Sequence, residues 1–391
     1  MIKQILLGVS LIATAGLTQA AELSQYTAVR VQKAHQQVQN DKIKQAISTL
    51  ASIDTSRGYD KAYIARMLGV YYWQDGQVKK AIQQIQYAVD SGLLEDEQAW
   101  VTRKMLADLL LSDQKYQQAL PHYYRLAKKV PEKQKADELW LRIAQSHYQI
   151  EQWAKVVSAV DKYRSYQRKD EVQPLSLKLG ALLQLKRYKN AIPTLKKLIA
   201  LQPEKVNWWR QLVGLQMQTG QNAQALATLG LAKHQGVALS QQELRLMAQL
   251  YAQKGIPERA ARQIAELDKS KTDLKLIVEQ ASYWQMAREW DKATDQWALA
   301  AKQDSKYHWN VAQLLVQQGH YRTALTVLNK VKGRNAEVAL VKARALYKLN
   351  QIEDALAQAK KSQAIKPSTQ AKSWVKYLSN LRKSDDKNQS S

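Results

Sequence analysis

Six histidines, His35, His122, His147, His234, His308 and His320, are the side chains of this sequence best suited to proton transfer or metal ligation near neutral pH. They are scattered, and no two stand at a spacing that presents both to one ion. His147 shares a helical stripe with Trp140 and Ile143, which predicts a packed, hydrogen-bonded imidazole rather than a ligand. Cysteine is absent, which excludes thiol nucleophiles, thiolate metal sites and disulfides together. No glycine-rich loop ends in Lys-Ser or Lys-Thr, and no dinucleotide-binding glycine fingerprint is present. Nothing marks a nucleophile–base pair. The expectation is a chain with no catalytic residue, no metal and no cofactor.

The elements that would position any functional side chain are set by a repeat. From Leu68 to Ile82 the sequence reads as the end of one helix, a tight turn at Asp75-Gly76 and the start of another. Ala65, Leu68, Gly69 and Tyr72 share one face of the first helix, and Ala81, Ile85 and Ala88 share one of the second. The small residue opening the second helix recurs as Ala46, Ala81, Ala119, Val156, Ala191, Ala225, Ala260, Ala293, Ala324 and Ala355, in steps of 31 to 38 residues. Four residues after each stands Leu50, Ile85, Tyr123, Val160, Leu195, Leu229, Ile264, Trp297, Leu328 or Ala359, nine of them large and apolar. A period of this length means stacked helix pairs, each stable only against its neighbours. In this register Trp284 and Trp297 coincide with Tyr72 and Ile85, so both are expected to pack rather than to form, with Trp290, a stacking platform for a ligand. Trp73 and Trp309 fall off the packing stripe.

The units resemble tetratricopeptide repeats (TPR). Leu68-Gly69, Tyr72, Gly76 and Ala81 match that signature in one unit, and Trp209, Leu212, Gly220, Ala225 and Ala232 in another. Pro131, Pro203 and Pro367 stand where that family closes its second helix. The resemblance covers residues 25–367 and implies an all-α fold, a right-handed α-solenoid of about ten TPR-like helix pairs with a C-terminal capping helix. The units fall near 27–60, 62–98, 100–135, 137–170, 172–205, 206–239, 241–272, 274–304, 305–335 and 336–367, and the cap at 369–383. Without a linker, 21–383 is expected to form one domain, followed by a polar tail, 384–391. Pro257 fits the start of a second helix, whereas Pro121 and Pro193 are expected within a first turn or just past it, where they weaken or bend that turn.

Residues 1–20 carry one lysine, an apolar run from Ile5 to Leu17 and Ala20 before the cut, as a secretory signal peptide does. No later segment replaces it as a membrane span, and a cysteine-free exported chain suits the periplasm. Net charge is +25, with pairs such as Lys128-Lys129, Lys186-Arg187, Lys196-Lys197 and Lys360-Lys361 placed largely on second helices or turns. Such charge steers the chain toward an anionic surface or an acidic protein segment. Nucleic acid is not expected, given export and the absence of any binding module for it.

In the family, a second stripe on each first helix looks into a groove. Here that stripe gives the expected protein-binding residues Tyr63, Arg66, Trp73, Lys104, Tyr148, Arg210, Arg245, Gln249, Trp309, Arg344 and Tyr347. Arg, Tyr and Trp are the types that anchor protein partners. The paired Lys and Asn with which some family members grip an acidic carboxy-terminus are absent. Residues 63–73, 96–108 and 206–215 further resemble an exported repeat protein of marine Gram-negative bacteria associated with TonB–ExbB–ExbD energy-transduction systems for iron-chelate uptake. That resemblance implies a periplasmic scaffold whose partners are periplasmic parts of the TonB system. The competing readings are an adaptor for polysaccharide or pilus export and an enzyme concealed in a solenoid.

Overall fold

The computed structural model describes residues 22–166 and 169–389, with side chains to residue 383. The signal peptide expected at 1–20 lies outside the described residues. Among these residues there are 21 α-helices, one 3-10 turn at Ser305–Tyr307 and no strand. The chain divides into two compact units, Met1–Leu201 and Gln202–Ser391, where the sequence carries no linker longer than the turn around Pro203.

The first unit holds five helix pairs. They are α1 (Gln25–Gln39) with α2 (Ile43–Ala51), α3 (Gly58–Gln74) with α4 (Val78–Asp90), and α5 (Asp96–Ser112) with α6 (Tyr116–Lys128). Then come α7 (Ala136–Gln149) with α8 (Trp153–Arg164) and α9 (Val172–Gln184) with α10 (Tyr188–Leu201). The second unit holds five more pairs and a last helix. Its pairs are α11 (Val206–Gln218) with α12 (Asn222–His234), α13 (Gln241–Gln253) with α14 (Pro257–Ala265), and α15 (Leu274–Met286) with α16 (Trp290–Gln303). They continue with α17 (His308–Gln317) and α18 (Tyr321–Leu328), then α19 (Asn335–Lys348) and α20 (Ile352–Ile365), and end in α21 (Thr369–Gln389). Each unit is thus an α-solenoid of helix pairs. The last helix runs past 383, because no glycine or proline follows to stop it.

Packing explains the repeat. All ten small residues that open second helices have no exposed surface, and all ten partners four residues on are buried. Twelve residues before the small series, Ala34, Gly69, Ala107, Ala144, Ala248, Ala281, Ala312 and Ala343 are buried as well. At Gly69 a Cβ would stand 2.4 Å from Ile85 Cγ1, so α3 and α4 approach more closely than any side chain at 69 permits. The stripe on α3 is shifted from the expected one: Tyr71 is buried and Tyr72 only half-buried.

The turn inside each pair is the same turn ten times over. Asp41, Gly76, Gln114, Glu151, Lys186, Gly220, Gly255, Arg288, Gly319 and Asn350 all have φ between 55° and 83°. Each lies five residues before a small-series residue. The following N–H then bonds a carbonyl five residues back, from Lys42 to Gln37 at 2.8 Å through Gln351 to Leu346 at 3.0 Å. This is the Schellman closure, which satisfies carbonyls that a helix end leaves open. Glycine would be favoured at this position, yet only four of the ten are glycine.

Pro257 opens α14. Pro121 and Pro193 lie deeper than a first turn, each at the sixth residue of its helix. Both are exposed, so water reaches the carbonyls that their missing N–H groups leave unbonded. At the start of the described chain, the buried carboxylate of Asp60 on α3 clasps α1. It accepts from Ser24 Oγ at 2.5 Å and from Thr27 Oγ1 at 2.8 Å.

Candidate functional site

In the first unit the expected binding residues lie on α3, α5 and α7. Arg66 stacks over the Tyr63 ring at 5.8 Å, and both are half-buried. Trp73 is half-buried, packed on the core around Ile85 and Leu106 rather than standing clear of it. Lys104 pairs with Asp108 on its own helix at 2.7 Å. Asp108 in turn accepts the Tyr123 hydroxyl at 2.6 Å. Tyr148 meets Trp153 edge-on at 5.2 Å, and its ring lies on Gly180 of α9, where a Cβ would come within 2.8 Å of the hydroxyl. Its surface is therefore largely spent on the next pair.

The same face of this unit carries a recess of about 160 Å³, lined by Lys104, Glu138, Leu139, Leu141, Arg142, Gln145 and Gln173 from α5, α7 and α9. Arg142 Nη1 donates to Gln145 Oε1 at 3.2 Å. Of these residues only Lys104 was expected from the sequence. Arg142 was missed because it sits one residue off the cationic register, which Leu141 occupies in this pair, and the two glutamines because they sit one turn away from it.

In the second unit, Arg210 and Arg245 are on the expected stripe but are not free cations. Arg210 Nε donates to Glu243 on α13 at 2.9 Å, and Arg245 Nη2 to Glu279 on α15 at 2.7 Å. Each glutamate is the more buried partner, with 17% and 15% of its side chain exposed against 49% and 43% for the arginines. Burial pushes the Glu243 carboxyl up, but bonds from Ser240 and Arg210 outweigh it and hold the group below the usual range. Tyr283 donates to Glu279 at 3.0 Å, and burial together with that carboxylate raises its hydroxyl to about 12. The two arginines thus tie neighbouring first helices together. Their partners lie 33 and 34 residues on, close to the repeat length, which was the available signal.

Gln249 is exposed beside this pairing. Trp309 is half-buried against Ala312 and Val338, with the Arg334 guanidinium over its ring at 5.5 Å. Arg344 is exposed and, among the described residues, has no ion pair. Tyr347 meets Trp374 and Tyr377 edge-on at 5.5 and 5.6 Å and shares a 2.8 Å hydroxyl contact with Tyr377. It fastens α21 to α19. Of the eleven expected residues, Arg210, Gln249 and Arg344 are exposed, Arg210 being paired with Glu243, and Tyr148, Trp309 and Tyr347 mainly pack.

His147, Trp284 and Trp297 are packing residues. His147 is buried, with its Nε2 2.7 Å from the Tyr124 hydroxyl, and burial followed by the Lys155 charge lowers its pKa. Trp284 and Trp297 are buried in one core, and Trp297 Nε1 donates to Gln285 at 2.9 Å. Among the described residues no three His, Asp or Glu side chains converge as metal ligands, and no helix is long and apolar enough to cross a membrane.

Two family models match parts of this chain. Residues 182–250 match the tetratricopeptide repeat family, and residues 293–362 match that of anaphase-promoting complex, cyclosome, subunit 3. No curated protein matches the sequence. Among solved structures, a tetratricopeptide repeat protein from Parabacteroides merdae is 14% identical, with 68% of this chain and 99% of that chain covered at a TM-score of 0.38. Naa15/Naa10 bound to HypK-THB is 13% identical, covering 90% of this chain and 64% of that one at 0.44. The P58(IPK) TPR domain is 14% identical, covering 92% and 99% at 0.26.

Proposed function

We propose that this chain of tetratricopeptide-type helix pairs is a non-catalytic periplasmic scaffold, and that it serves as an accessory component of a TonB-dependent system for iron-chelate uptake. Tetratricopeptide repeats are protein-interaction modules, and the interaction reading rests on that. The observation that carries it is the register: Arg66 and Lys104 in one unit, and Arg210 and Arg245 in the other, hold the same place on successive first helices. A partner lying across those helices meets a periodic polar surface. Because Arg210 and Arg245 are already paired with glutamates, an acidic segment of a partner must compete for them. On the second unit the open groups are Gln249 and Arg344, and on the first, taken by itself, the recess around Arg142.

The periplasmic and TonB assignments rest on the leader-like residues 1–20 and on the resemblance over 63–73, 96–108 and 206–215. Deleting the chain tests them. Growth on a ferric chelate as sole iron source should be impaired while growth on free iron is normal. Normal growth on the chelate combined with an envelope defect would favour an adaptor in polysaccharide or pilus export instead.

A further inference from the structure

A second polar cluster lies on the other helix of the third pair. His122 and Arg125 stand three residues apart on α6 and therefore share a face. From α5, Arg103 Nη1 reaches within 3.4 Å of His122 Nδ1. A guanidinium has only donors, so Nδ1 accepts, and the imidazole is neutral with its proton on Nε2. Among the described residues neither arginine has a carboxylate within ion-pair distance. The acid that faces the cluster, Asp90 at the end of α4, has both oxygens on Gln86 Nε2, at 2.8 and 2.9 Å. Burial and then the Arg103 charge hold the His122 pKa down, with Arg125 adding to the effect and Asp90 opposing it.

The Arg103–His122 contact, with exposed Arg125 one turn along the same face of α6, therefore gathers two guanidiniums and an imidazole around a single facing acid, Asp90, whose oxygens are both engaged by Gln86. Two guanidiniums, joined by the imidazole once Nδ1 is protonated, offer donors from two helices and more than one positive charge, which suits a phosphate-type dianion with three outward oxygens better than a singly charged carboxylate. We propose that Arg103, His122 and Arg125 form a site for a phosphate-type oxyanion, carried by a soluble phosphomonoester or by a lipid headgroup. The anion enters between Arg103 and His122. It takes over the Arg103 donor, frees Nδ1 and favours the doubly protonated imidazolium.

Histidine-labelled full-length protein, with the His122 signal assigned through His122→Gln, provides the test by NMR. Inorganic phosphate should raise the His122 titration midpoint by about one pH unit and convert Nδ1 from acceptor to protonated donor. Chloride at equal ionic strength should not, and the signal of buried His147 should stay in place. Arg125 is exposed, so Arg125→Gln is the variant least able to disturb folding and should shrink the shift. The Arg103→Gln/Arg125→Gln pair should abolish it. An unmoved midpoint, an equal shift with chloride, or a full shift in the double variant overturns the site. Vesicles of phosphatidylcholine doped with phosphatidic acid separate the sources. Co-sedimentation that pure phosphatidylcholine does not give and the double variant loses assigns the oxyanion to lipid. A phosphate response without co-sedimentation assigns it to a soluble ligand.

Discussion

Replacing Gly69 by alanine adds a single methyl, and in an ordinary helix interior it would stabilise by about 1 kcal/mol. Here the new Cβ would lie 2.4 Å from Ile85 Cγ1, 2.5 Å from Cδ1 and 3.2 Å from the Ile85 backbone nitrogen. Comfortable carbon contacts are about 3.5–4.0 Å, and Cγ1 is too near the main chain to swing aside, so α4 itself must move out by roughly 1 Å. Overpacking of that kind costs about 1–3 kcal/mol. Taking its upper end against the propensity gain, Gly69→Ala should destabilise by about 2 kcal/mol. Ile85→Ala alone should cost about 2–5 kcal/mol through the cavity it leaves. In the double variant the methyl at 69 has room, and the loss should fall short of the sum by about 3 kcal/mol. Because a repeat stack opens locally, urea unfolding should be read together with amide exchange in α3 and α4. A Gly69→Ala protein as stable as the wild type, or single losses that add to within about 0.5 kcal/mol, would refute the close approach of the two helices.

The shared turn gives a second expectation, checked by thermal unfolding. Lys186→Gly relieves a left-handed lysine and should stabilise by about 0.5–1 kcal/mol, while Gly220→Ala, at the same place one pair later, should destabilise by a similar amount. Two buried tyrosines should respond oppositely to phenylalanine, as denaturant midpoints will reveal. Tyr71 has a buried hydroxyl without a partner, so Tyr71→Phe should be neutral or stabilising by about 1 kcal/mol, whereas Tyr123→Phe breaks the bond to Asp108 and should cost about 1–2 kcal/mol. Burial raises the Asp60 carboxyl, but the Ser24 and Thr27 bonds outweigh it and its folded pKa lies below the usual value. Its contribution is complete above the unfolded pKa of about 3.9 and is lost as pH falls through the lower folded value. Amide exchange in α1 should accelerate across that acid window in the wild type, and Asp60→Asn should flatten the response.

The sequence makes the stack legible because burial constrains residue type. Ala46 through Ala355 must be small where helices cross, and Leu50 through Leu328 must fill the space beyond. The turn is far less legible. The same left-handed closure recurs in ten places, but Gln114, Glu151, Lys186 and Arg288 are among those that tolerate the strained φ, so glycine marks only four of them. At the binding face, the cationic register of Arg66, Lys104, Arg210 and Arg245 can be read directly. The partners of the last two are less legible: Glu243 and Glu279 lie about one repeat on, but at registers one turn apart in the next pair. Trp309 and Tyr347 show the same limit: a side chain off the stripe of its own pair is covered by Arg334 or by α21. The absence of phenylalanine has a structural consequence as well, since buried rings such as Tyr71 and Tyr123 bring hydroxyls that the core must satisfy or leave alone.

The most direct test of the scaffold reading is site-specific photo-crosslinking in intact cells, with adducts identified by mass spectrometry. The crosslinker would stand at Gln249 or Gln145 on first helices, and at exposed Lys196 or Lys360 on second helices for comparison. Gln249 and Gln145 should give adducts to a periplasmic TonB-system component that Lys196 and Lys360 do not give. Adducts to that component from the second-helix positions alone, or none from any position, would contradict it.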